Sequence, residues 1–321
     1  MRIVVALGGN ALIRRGDSAD VETQRGNVKT AVAALADLAR DHQLVVTHGN
    51  GPQVGLLALQ AAAYHEVAAY PLDVLGAESE GMIGYLLEQG LVTELPGARI
   101  ATLLTQVVVD PNDPAFGRPT KPIGPLYKEG VARDLAAGRG WLLEPDGPGY
   151  RRVVASPEPR RILELDAIRL LVDAGVLVVC VGGGGIPVTV DDAGAVRGVE
   201  AIIDKDLSAA LLATRLDADR LLLLTDVDAI WTNWRTPKAR SLKSASPRSL
   251  RQLDLPAGSM GPKAEGACRF AEATGRPAAI GALADAAAVL AGTAGTTVAV
   301  AVDGLVWHSA HDKQGDFAVS S

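Results

Sequence analysis

One pattern recurs along this chain of 321 residues: an apolar, β-branched run enters a glycine-rich turn, and a helical pattern follows. It occurs at residues 4–12 (VVALGGNAL), 44–55 (LVVTHGNGPQVG) and 176–188 (VLVVCVGGGGIPV), with a related strand at 220–230 (RLLLLTDVDAI). Continuous apolar runs that end at glycine are typical of strands buried on both faces of a parallel sheet. Strands that alternate with helices at this spacing predict an α/β fold with a mainly parallel central sheet flanked by helices.

The segment between the first two strands carries the periodicity of a covering helix. Ala31, Val32, Leu35 and Leu38 fall on one face, and Asp37 lies on the opposite one. The length is sufficient for one large α/β domain or two lobes with a sizeable core.

Charge and composition narrow the classes of partner. The net charge is −6 and no basic block stands out, so neither nucleic acid nor an anionic membrane surface is an expected partner. The uncharged run at 286–302 has 17 residues, fewer than the roughly 20 apolar residues of a transmembrane helix. Residues 1–9 are too short for the apolar core of a signal peptide. Cys180 and Cys268 are predicted to be inert packing residues. We therefore expect a soluble, cytoplasmic protein.

Proline is concentrated in one segment. Residues 111–159 contain nine of the 18 prolines, a density that excludes the interior of a helix and a central strand. This segment is predicted to leave the main sheet, either as a functional lid or as a surface insertion without a role. A second, shorter irregular loop is predicted at 241–261.

Two glycine loops marked by asparagine follow the first two strands, at the end of a parallel sheet where ligands bind. Glycine lets the backbone approach a phosphoryl group, and the N-terminus of the following helix favours an anion. Each loop alone is weak evidence, because glycine after a strand is more often a simple turn. Together with the four glycines at 182–185, the loops predict a ligand with several anionic oxygens. The loop residues are Gly8, Gly9, Asn10, Gly49, Asn50 and Gly51.

Common phosphate-binding fingerprints are missing or incomplete. No G-x-x-x-x-G-K-[ST] motif occurs, and Pro187 replaces the third glycine that a dinucleotide-binding loop needs, so a Rossmann oxidoreductase is poorly supported. The cations lie elsewhere. Lys205 stands between Asp204 and Asp206, ahead of a helical stretch. This triplet is either solvated surface or a unit in which one carboxylate orients Lys205 toward a phosphoryl group while another helps to hold Mg²⁺.

Two further lysines occupy constrained positions. Lys263 follows a Gly-Pro turn in GSMGPK (258–263), from which its ammonium can reach a nucleotide phosphate. Lys121 lies in the proline-dense segment between Pro119 and Pro122, and prolines on both sides limit how far the segment can move. Both positions are suited to a lysine that meets an anion.

The motifs, taken in order, resemble those of the carbamate kinases, a branch of the amino acid kinase family. The resemblance extends to about Thr297 and rests on ALGGNAL, THGNGPQVG, RPTKPIGP, GGGGIPV, IIDKDLSAALLA, LTDVDAI and PAGSMGPK. It implies the amino acid kinase fold in a single domain, 1–321. The N-terminal lobe, 1–190, would bind carbamate or carbamoyl phosphate and carry a protruding lid subdomain at 111–159. The C-terminal lobe, 191–321, would bind the nucleotide.

The same resemblance explains why the first glycine loop has no cation. Many members of the amino acid kinase family carry a lysine two residues before the first glycine pair, where this chain has Ala6. Carbamate kinases are similar in lacking that lysine, and they supply one from a protruding subdomain. Lys121 is the matching position.

By resemblance, the reaction is ATP + carbamate ⇌ ADP + carbamoyl phosphate, with Mg²⁺ on the nucleotide. It would run toward ATP synthesis in arginine or purine breakdown, in a homodimer. Carbamate is already an anion, so no general base is required, and positioning with charge neutralisation does most of the work. Lys205 would contact the phosphoryl group in flight and Asp206 would hold that lysine. Lys121 would serve the carbamate end and Lys263 the nucleotide phosphates. The implied nucleotide-binding residues are Gly183, Gly184, Asp226, Met260, Gly261 and Lys263.

Three alternatives stay open at this point. They are a relative that phosphorylates another carboxylate or a nucleotide, a non-catalytic nucleotide or metabolite sensor of the same fold, and an NAD-dependent dehydrogenase. Ala6 and the TKPIGP motif argue against the first, and the retained lysines argue against the second. His48 is interpreted as a packing or supporting residue, or else as a donor to substrate. The remaining cluster, an incidental surface group or a metal site, comprises His308, His311 and Asp312.

Overall fold

A computed structural model describes residues 1–9, 20–63, 69–256 and 258–309. Within these ranges the strands are β1 (Arg2–Leu7), β2 (Gln43–His48), β3 (Ile100–Thr102), β4 (Gln106–Val108), β5 (Lys121–Tyr127), β6 (Leu143–Asp146), β7 (Gly149–Val154), β8 (Arg161–Ile162), β9 (Leu177–Val179), β10 (Ile186–Val190), β11 (Val196–Gly198), β12 (Arg220–Thr225), β13 (Trp231–Thr232), β14 (Arg240–Ala245), β15 (Ala278–Ala282), β16 (Thr296–Val298) and β17 (Leu305–Trp307). The helices are α1 (Val21–Ala39), α2 (Gly51–Ala63), α3 (Leu72–Glu94), α4 (Glu129–Arg139), α5 (Leu165–Asp173), α6 (Lys205–Arg215), α7 (Pro247–Leu250), α8 (Met260–Thr274) and α9 (Ala286–Ala291).

The main sheet has the strand order β13-β14-β16-β15-β12-β1-β2-β9-β3, with β17 paired to β14. Its central strands β15, β12, β1, β2, β9 and β3 are mutually parallel, and antiparallel pairs occur only toward the β13 end. The predicted α/β class with a mainly parallel sheet is therefore confirmed.

Both faces of the sheet are buried, which is why its strands read as continuous apolar runs. In β1, Ile3, Val5 and Leu7 pack on one side, and Val4 and Ala6 pack on the other. Helices α1, α3 and α9 cover the first side. Helices α5, α6 and α8 cover the second. None of the helices in the described ranges combines the length and apolar character that a membrane crossing needs.

The proline-dense segment, 111–159, forms a small sheet of its own in the order β5-β7-β6, accompanied by α4. Pro122 and Pro125 lie in β5 and Pro145 lies in β6, the two outer strands, while the middle strand β7 and helix α4 contain no proline. The prolines therefore occupy positions where a missing N–H leaves no gap in a central strand. A further sheet has the order β11-β10-β4-β8. Along the chain, β4 precedes the proline-dense segment and β8 follows it.

The prediction of an irregular loop at 241–261 was wrong for its first part. Residues 240–245 form β14, which pairs with β13, β16 and β17, and residues 247–250 form α7. The strand is rich in serine, and its burial comes from pairing on both sides, which the local sequence does not reveal. Ser241 and Leu242 are both buried there.

Candidate active site

The candidate site lies where four neighbouring parallel strands, β12, β1, β2 and β9, end at the same edge of the main sheet. Backbone hydrogen bonds continue past the strands into the loops. Gly8 N donates to the Leu224 carbonyl at 2.8 Å, and Gly49 N donates to the Leu7 carbonyl at 3.1 Å. The two predicted glycine loops are thus held side by side at the sheet edge. Asn10 lies outside the described residues.

The glycine loops approach each other closely, and Lys205 joins them. A Cβ on Gly49 would lie 3.0 Å from Gly9 N and 3.4 Å from Lys205 Cδ. A side chain at Gly49 would therefore push apart the first loop and the Lys205 stem. Gly51, the first residue of α2, has open space around it. Close packing therefore explains the glycine at position 49, but not the one at position 51.

The turn formed by Gly182–Gly185, here called the glycine turn, requires its glycines. Gly183, Gly184 and Gly185 have φ of 67°, 98° and 87°, values that side chains disfavour. Val181 has φ of 53°, which is unusual for a β-branched residue and marks local strain. Two side chains hold it: Thr105 Oγ1 accepts from Val181 N at 3.0 Å, and Thr47 Oγ1 donates to the Val181 carbonyl at 2.8 Å.

Helix α6 begins beside these loops and carries the charged residues. Asp204 caps the helix, because its Oδ1 accepts from Asp206 N at 2.9 Å. Lys205 Nζ pairs with Asp206 Oδ1, and Lys263 Nζ lies 3.0 Å from Asp206 Oδ2. Asp204, Lys205 and Asp206 are 7%, 8% and 3% exposed. The interpretation of this triplet as solvated surface was wrong, because α8 and the sheet cover it.

Close helix packing brings Lys263 to Asp206. A Cβ on Gly266 would lie 2.7 Å from the Asp206 carbonyl, so only glycine allows α8 to approach the first turn of α6 this closely. Lys263 stands one turn earlier on the same helix, in the turn that begins at Met260. Gly261 N donates to the Pro256 carbonyl at 2.9 Å, which fixes the entry into α8.

One carboxylate serves two ammonium groups here. Burial lowers the pKa of Lys205 to about 8, although the attraction of Asp206 opposes the shift. Burial alone would raise the pKa of Asp206, but Lys205 and Lys263 together hold it well below its usual range. Burial also works against the charge of Lys263, yet Asp206 leaves the pKa of that lysine above its ordinary value. At neutral pH the three groups carry one net positive charge, which an anion can neutralise.

Lys121 reaches the same helix end from β5 of the proline-dense segment. Its Nζ forms an ion pair with Asp204 Oδ2, and the Lys121 side chain keeps 28% of its exposure. The segment is seated on α2, where a Cβ on Gly55 would overlap the backbone of Gly124. The structure therefore places all four predicted catalytic residues, Lys121, Lys205, Asp206 and Lys263, around the start of α6.

Comparison with known proteins gives the same family as the motifs. The sequence profile of the Amino acid kinase family matches residues 1–282. A carbamate kinase of Rhizobium meliloti is 54% identical over 312 residues, 96% of each chain. A carbamate kinase of Haemophilus influenzae is 50% identical over 310 residues, 96% of this chain and all of that one. The chain belongs to the carbamate kinases. As a kinase of this family it is a phosphotransferase, and the predicted family and fold are confirmed.

A solved structure of this family has the same architecture. The carbamate kinase from Giardia lamblia bound to AMP-PNP matches with a TM-score of 0.84 and 40% identity, over 93% of this chain and 98% of that one. The resemblance to carbamate kinases implies that no lysine precedes the first glycine pair, and this chain has Ala6 there. Ala6 is fully buried in β1, and its methyl side chain carries no charge.

Gly183 and Gly184, two residues predicted to bind the nucleotide, lie in the glycine turn. A Cβ on Gly183 would overlap the Asn50 amide, and a Cβ on Gly184 would overlap the Ile203 carbonyl. The turn thus joins the second glycine loop to the start of α6. Asp226 follows β12 and contributes an attractive charge to Lys263. The nucleotide contacts of these residues stay predictions.

Sequence reasoning missed the residues that support the loops from behind. Asn50 Nδ2 donates to Ser79 Oγ at 2.8 Å, and Glu80 accepts from the backbone of the glycine turn. Both belong to α3, far from the motifs along the chain. The only available signal was Glu80 itself, a charged residue on the apolar face of α3.

His48 and both cysteines are buried, and His308 is partly buried. His48 is fully buried and its Nδ1 lies 3.1 Å from the Gly49 carbonyl, and burial lowers its pKa to about 4. The His48 imidazole is therefore neutral at pH 7, and its Nε2 is buried without a hydrogen-bond partner among the described residues. Its role, in packing or as a donor to substrate, stays a prediction. His308 Nε2 lies 3.0 Å from the Gly295 carbonyl, while His311 and Asp312 lie outside the described residues. Cys180 and Cys268 are buried, and burial raises the pKa of both thiols.

Proposed function

We propose that this protein catalyses reversible phosphoryl transfer, ATP + carbamate ⇌ ADP + carbamoyl phosphate. The observation that carries the proposal is the group formed by the buried Lys205 and Asp206 with the partly buried Lys263, which meets the two glycine loops at the sheet edge. A net positive charge beside backbone amides suits a phosphoryl group whose charge is spread over several oxygens. The names of the relatives supply the substrate class.

The proposed division of labour follows from the attachment of each lysine. Lys205, at the loops, would contact the phosphoryl group in transfer. Asp206 would orient Lys205 and Lys263 by pairing with both ammonium groups. Lys263, on α8, would bind the nucleotide phosphates. Lys121 would leave Asp204 to meet the carbamate end of the substrate. No general base is assigned because carbamate is already ionised.

The lobes would divide the two substrates. We propose that residues 1–190 bind carbamoyl phosphate or carbamate, with 111–159 acting as a lid, and that residues 191–321 bind the nucleotide. The loops at 8–10 and 49–51 belong to the first lobe, and the start of α8 belongs to the second. The AMP-PNP bound in the Giardia relative supports a nucleotide site in this fold. The proposed nucleotide set is Gly183, Gly184, Asp226, Met260, Gly261 and Lys263.

Mg²⁺ is proposed to enter with the nucleotide. In the described residues no group of three or more His, Cys, Asp or Glu side chains is placed to hold a metal ion. The nearby carboxylates of Asp204 and Asp206 already pair with lysines. This donor set fits an ion that is held by the phosphates and water rather than by a protein cage. Bound there, Mg²⁺ would neutralise part of the phosphate charge.

We further propose a homodimer. Along α3, Val74, Met82, Tyr85 and Val92 are exposed at helical spacing, and Leu104 is exposed beside them at the end of the edge strand β3. An apolar helix face next to a sheet edge is the kind of surface that a second copy covers. Light scattering would report twice the chain mass, and a monomer would reject the proposal.

The cellular setting is proposed as the cytoplasm, with ATP synthesis in arginine or purine breakdown as the net direction.

The substrate is tested by following ATP formation from ADP and Mg²⁺ with carbamoyl phosphate or acetyl phosphate as donor. The proposal predicts ATP from carbamoyl phosphate and far less from acetyl phosphate, which has no amino group. A folded protein that binds ADP but forms no ATP from carbamoyl phosphate would reject the substrate. The result would then favour a different acceptor or a sensor of the same fold.

A further inference from the structure

Glu80 is an ionisable residue in an unexpected place. It lies on the sheet-facing side of α3 and is 1% exposed. Its Oε1 accepts from Gly182 N at 2.7 Å and its Oε2 accepts from Thr105 N at 3.2 Å. No salt bridge to Glu80 occurs among the residues described. Burial raises its pKa to about 8, although both backbone hydrogen bonds oppose that shift. Burying a carboxyl group costs free energy unless hydrogen bonds replace those it made with water. Here the backbone N–H groups of Gly182 and Thr105 supply them.

The backbone that Glu80 holds is the glycine turn. The turn follows the strained Val181 and passes through three left-handed glycines, so it needs external support. A Cβ on Gly182 would lie 2.8 Å from Glu80 Cγ, which shows that the turn is pressed against this side chain. The far side of the turn contacts Asn50 through Gly183. Glu80 thus sets the distance between α3 and the second glycine loop.

The preceding residue of α3 holds that loop directly. Ser79 Oγ accepts from Asn50 Nδ2 at 2.8 Å and donates to the Gly76 carbonyl at 2.8 Å. Because the hydroxyl proton is committed to Gly76, Ser79 presents an acceptor and selects the amide nitrogen of Asn50. Ser79 and Asn50 are both buried. The Asn50 carbonyl oxygen and backbone are thereby fixed in one orientation.

We propose that Ser79 and Glu80 are positioning residues for the carbamoyl phosphate end of the site. Ser79 aims the Asn50 side chain, and Glu80 holds the glycine turn against it. The proposal rests on the proposed function. Both contacts serve the loop at 49–51 and the turn beside it, whereas the proposed phosphate contact of the nucleotide, Lys263, is held by α6 and α8. Ser79 holds only the loop at 49–51 and should therefore affect carbamoyl phosphate and not the nucleotide. Glu80 also holds the turn that carries Gly183 and Gly184 of the proposed nucleotide set, so it should affect both substrates.

Two variants test this separation. Glu80→Gln keeps the volume and one acceptor oxygen but places an amide NH₂ against one of the two backbone donors. Ser79→Ala leaves Asn50 Nδ2 buried without its partner. Loss of one buried hydrogen bond corresponds to a change of roughly tenfold. We expect the KM for carbamoyl phosphate to rise about tenfold in each variant, with lower kcat. The Kd for ADP, measured by calorimetry without carbamoyl phosphate, should stay within about twofold of the wild-type value in Ser79→Ala and should rise in Glu80→Gln.

Matched controls come from the same elements. Glu164 accepts from Gln106 N at 2.7 Å and from Gln106 Nε2 at 2.9 Å, one residue beyond Thr105, but does not contact the turn. Thr93, also on α3, donates to the Gln89 carbonyl at 2.9 Å. Glu164→Gln and Thr93→Ala should leave both constants unchanged. The proposal is overturned if Glu80→Gln and Ser79→Ala behave like these controls, or if ADP affinity falls in parallel with carbamoyl phosphate affinity in Ser79→Ala.

Amide hydrogen exchange separates this inference from the proposed function. In the unliganded protein, Glu80→Gln should speed exchange in residues 182–185, and Glu164→Gln should not. Unchanged exchange in Glu80→Gln would overturn the inference even if the wild-type enzyme is active. A wild-type protein that forms no ATP would reject the proposed function, while faster exchange in the variant would still support the hold on the turn.

Discussion

Asp206→Asn removes the one negative charge that pairs with both the buried Lys205 and Lys263, whose side chain is 12% exposed. The change is isosteric, so its effect is electrostatic. Asp206 is 3% exposed, pairs with Lys205, and lies 3.0 Å from Lys263 Nζ. Breaking a buried ion pair by removing one partner costs about 3–5 kcal/mol. With an unfolding entropy of about 2.1 cal/mol/K per residue, a chain of 321 residues should lose about 4–7 °C in Tm.

The pH dependence of this loss gives a sharper test. Burial already lowers the pKa of Lys205 to about 8, with Asp206 opposing the shift. In the Asn variant that opposition disappears, the pKa of Lys205 falls further, and the folded state holds Lys205 neutral. Folding of the variant then releases the proton that Lys205 carries in the unfolded chain, and this release costs less free energy as the pH rises. The Tm difference between variant and wild type should therefore shrink from pH 7 to pH 9.

Thermal unfolding followed by circular dichroism at both pH values measures the effect, and an ATP-formation assay measures the activity. Asp37→Asn is the control, because Asp37 forms an exposed ion pair with Arg40 on α1, and such pairs contribute about 0–1 kcal/mol. If Asp206→Asn melts like Asp37→Asn and keeps near wild-type turnover, the shared carboxylate is not the organising group of the site.

Three further changes are predicted from the same geometry. Lys121→Ala should lower kcat by about 10²–10³ with little change in Tm, whereas Lys128→Ala on the same segment should be neutral; equal turnover in both would exclude a lid lysine. Wild-type kcat/KM should fall as the pH rises through about 8, because the free enzyme then loses the charge of Lys205; a flat profile to pH 10 would contradict this. Gly55→Ala should unseat the proline-dense segment and raise the KM for carbamoyl phosphate, whereas Gly26→Ala, with open space on α1, should not; a matching effect at both sites would point to helix propensity instead.

The sequence predicts the framework because the framework depends on local patterns. Apolar runs ending at glycine identified β1, β2 and β9, a related run without glycine identified β12, and the structure brings their ends together. The four catalytic candidates were also found, because each lay in a motif. The strand β14 was missed because its residues are mostly polar and its burial comes from pairing with distant strands.

The support of the site was beyond the reach of the sequence. Ser79 and Glu80 lie about thirty residues from Asn50 and about one hundred from the glycine turn, and no spacing rule connects them. The pairing of Lys121 with Asp204 was missed for the same reason. The motif also left open whether Asp204 and Asp206 were solvated, because burial depends on how α8 packs, which Gly266 permits.

The most direct test is transfer of ³²P from carbamoyl [³²P]phosphate to ADP in a single turnover, with wild-type protein and Lys205→Ala both saturated with ADP. The role proposed for Lys205 predicts labelled ATP from the wild type and a rate lower by about 10²–10³ in the variant, although both bind ADP. Labelled ATP formed at equal rates by the two proteins would contradict the assignment of Lys205, and label released only as inorganic phosphate would contradict a kinase.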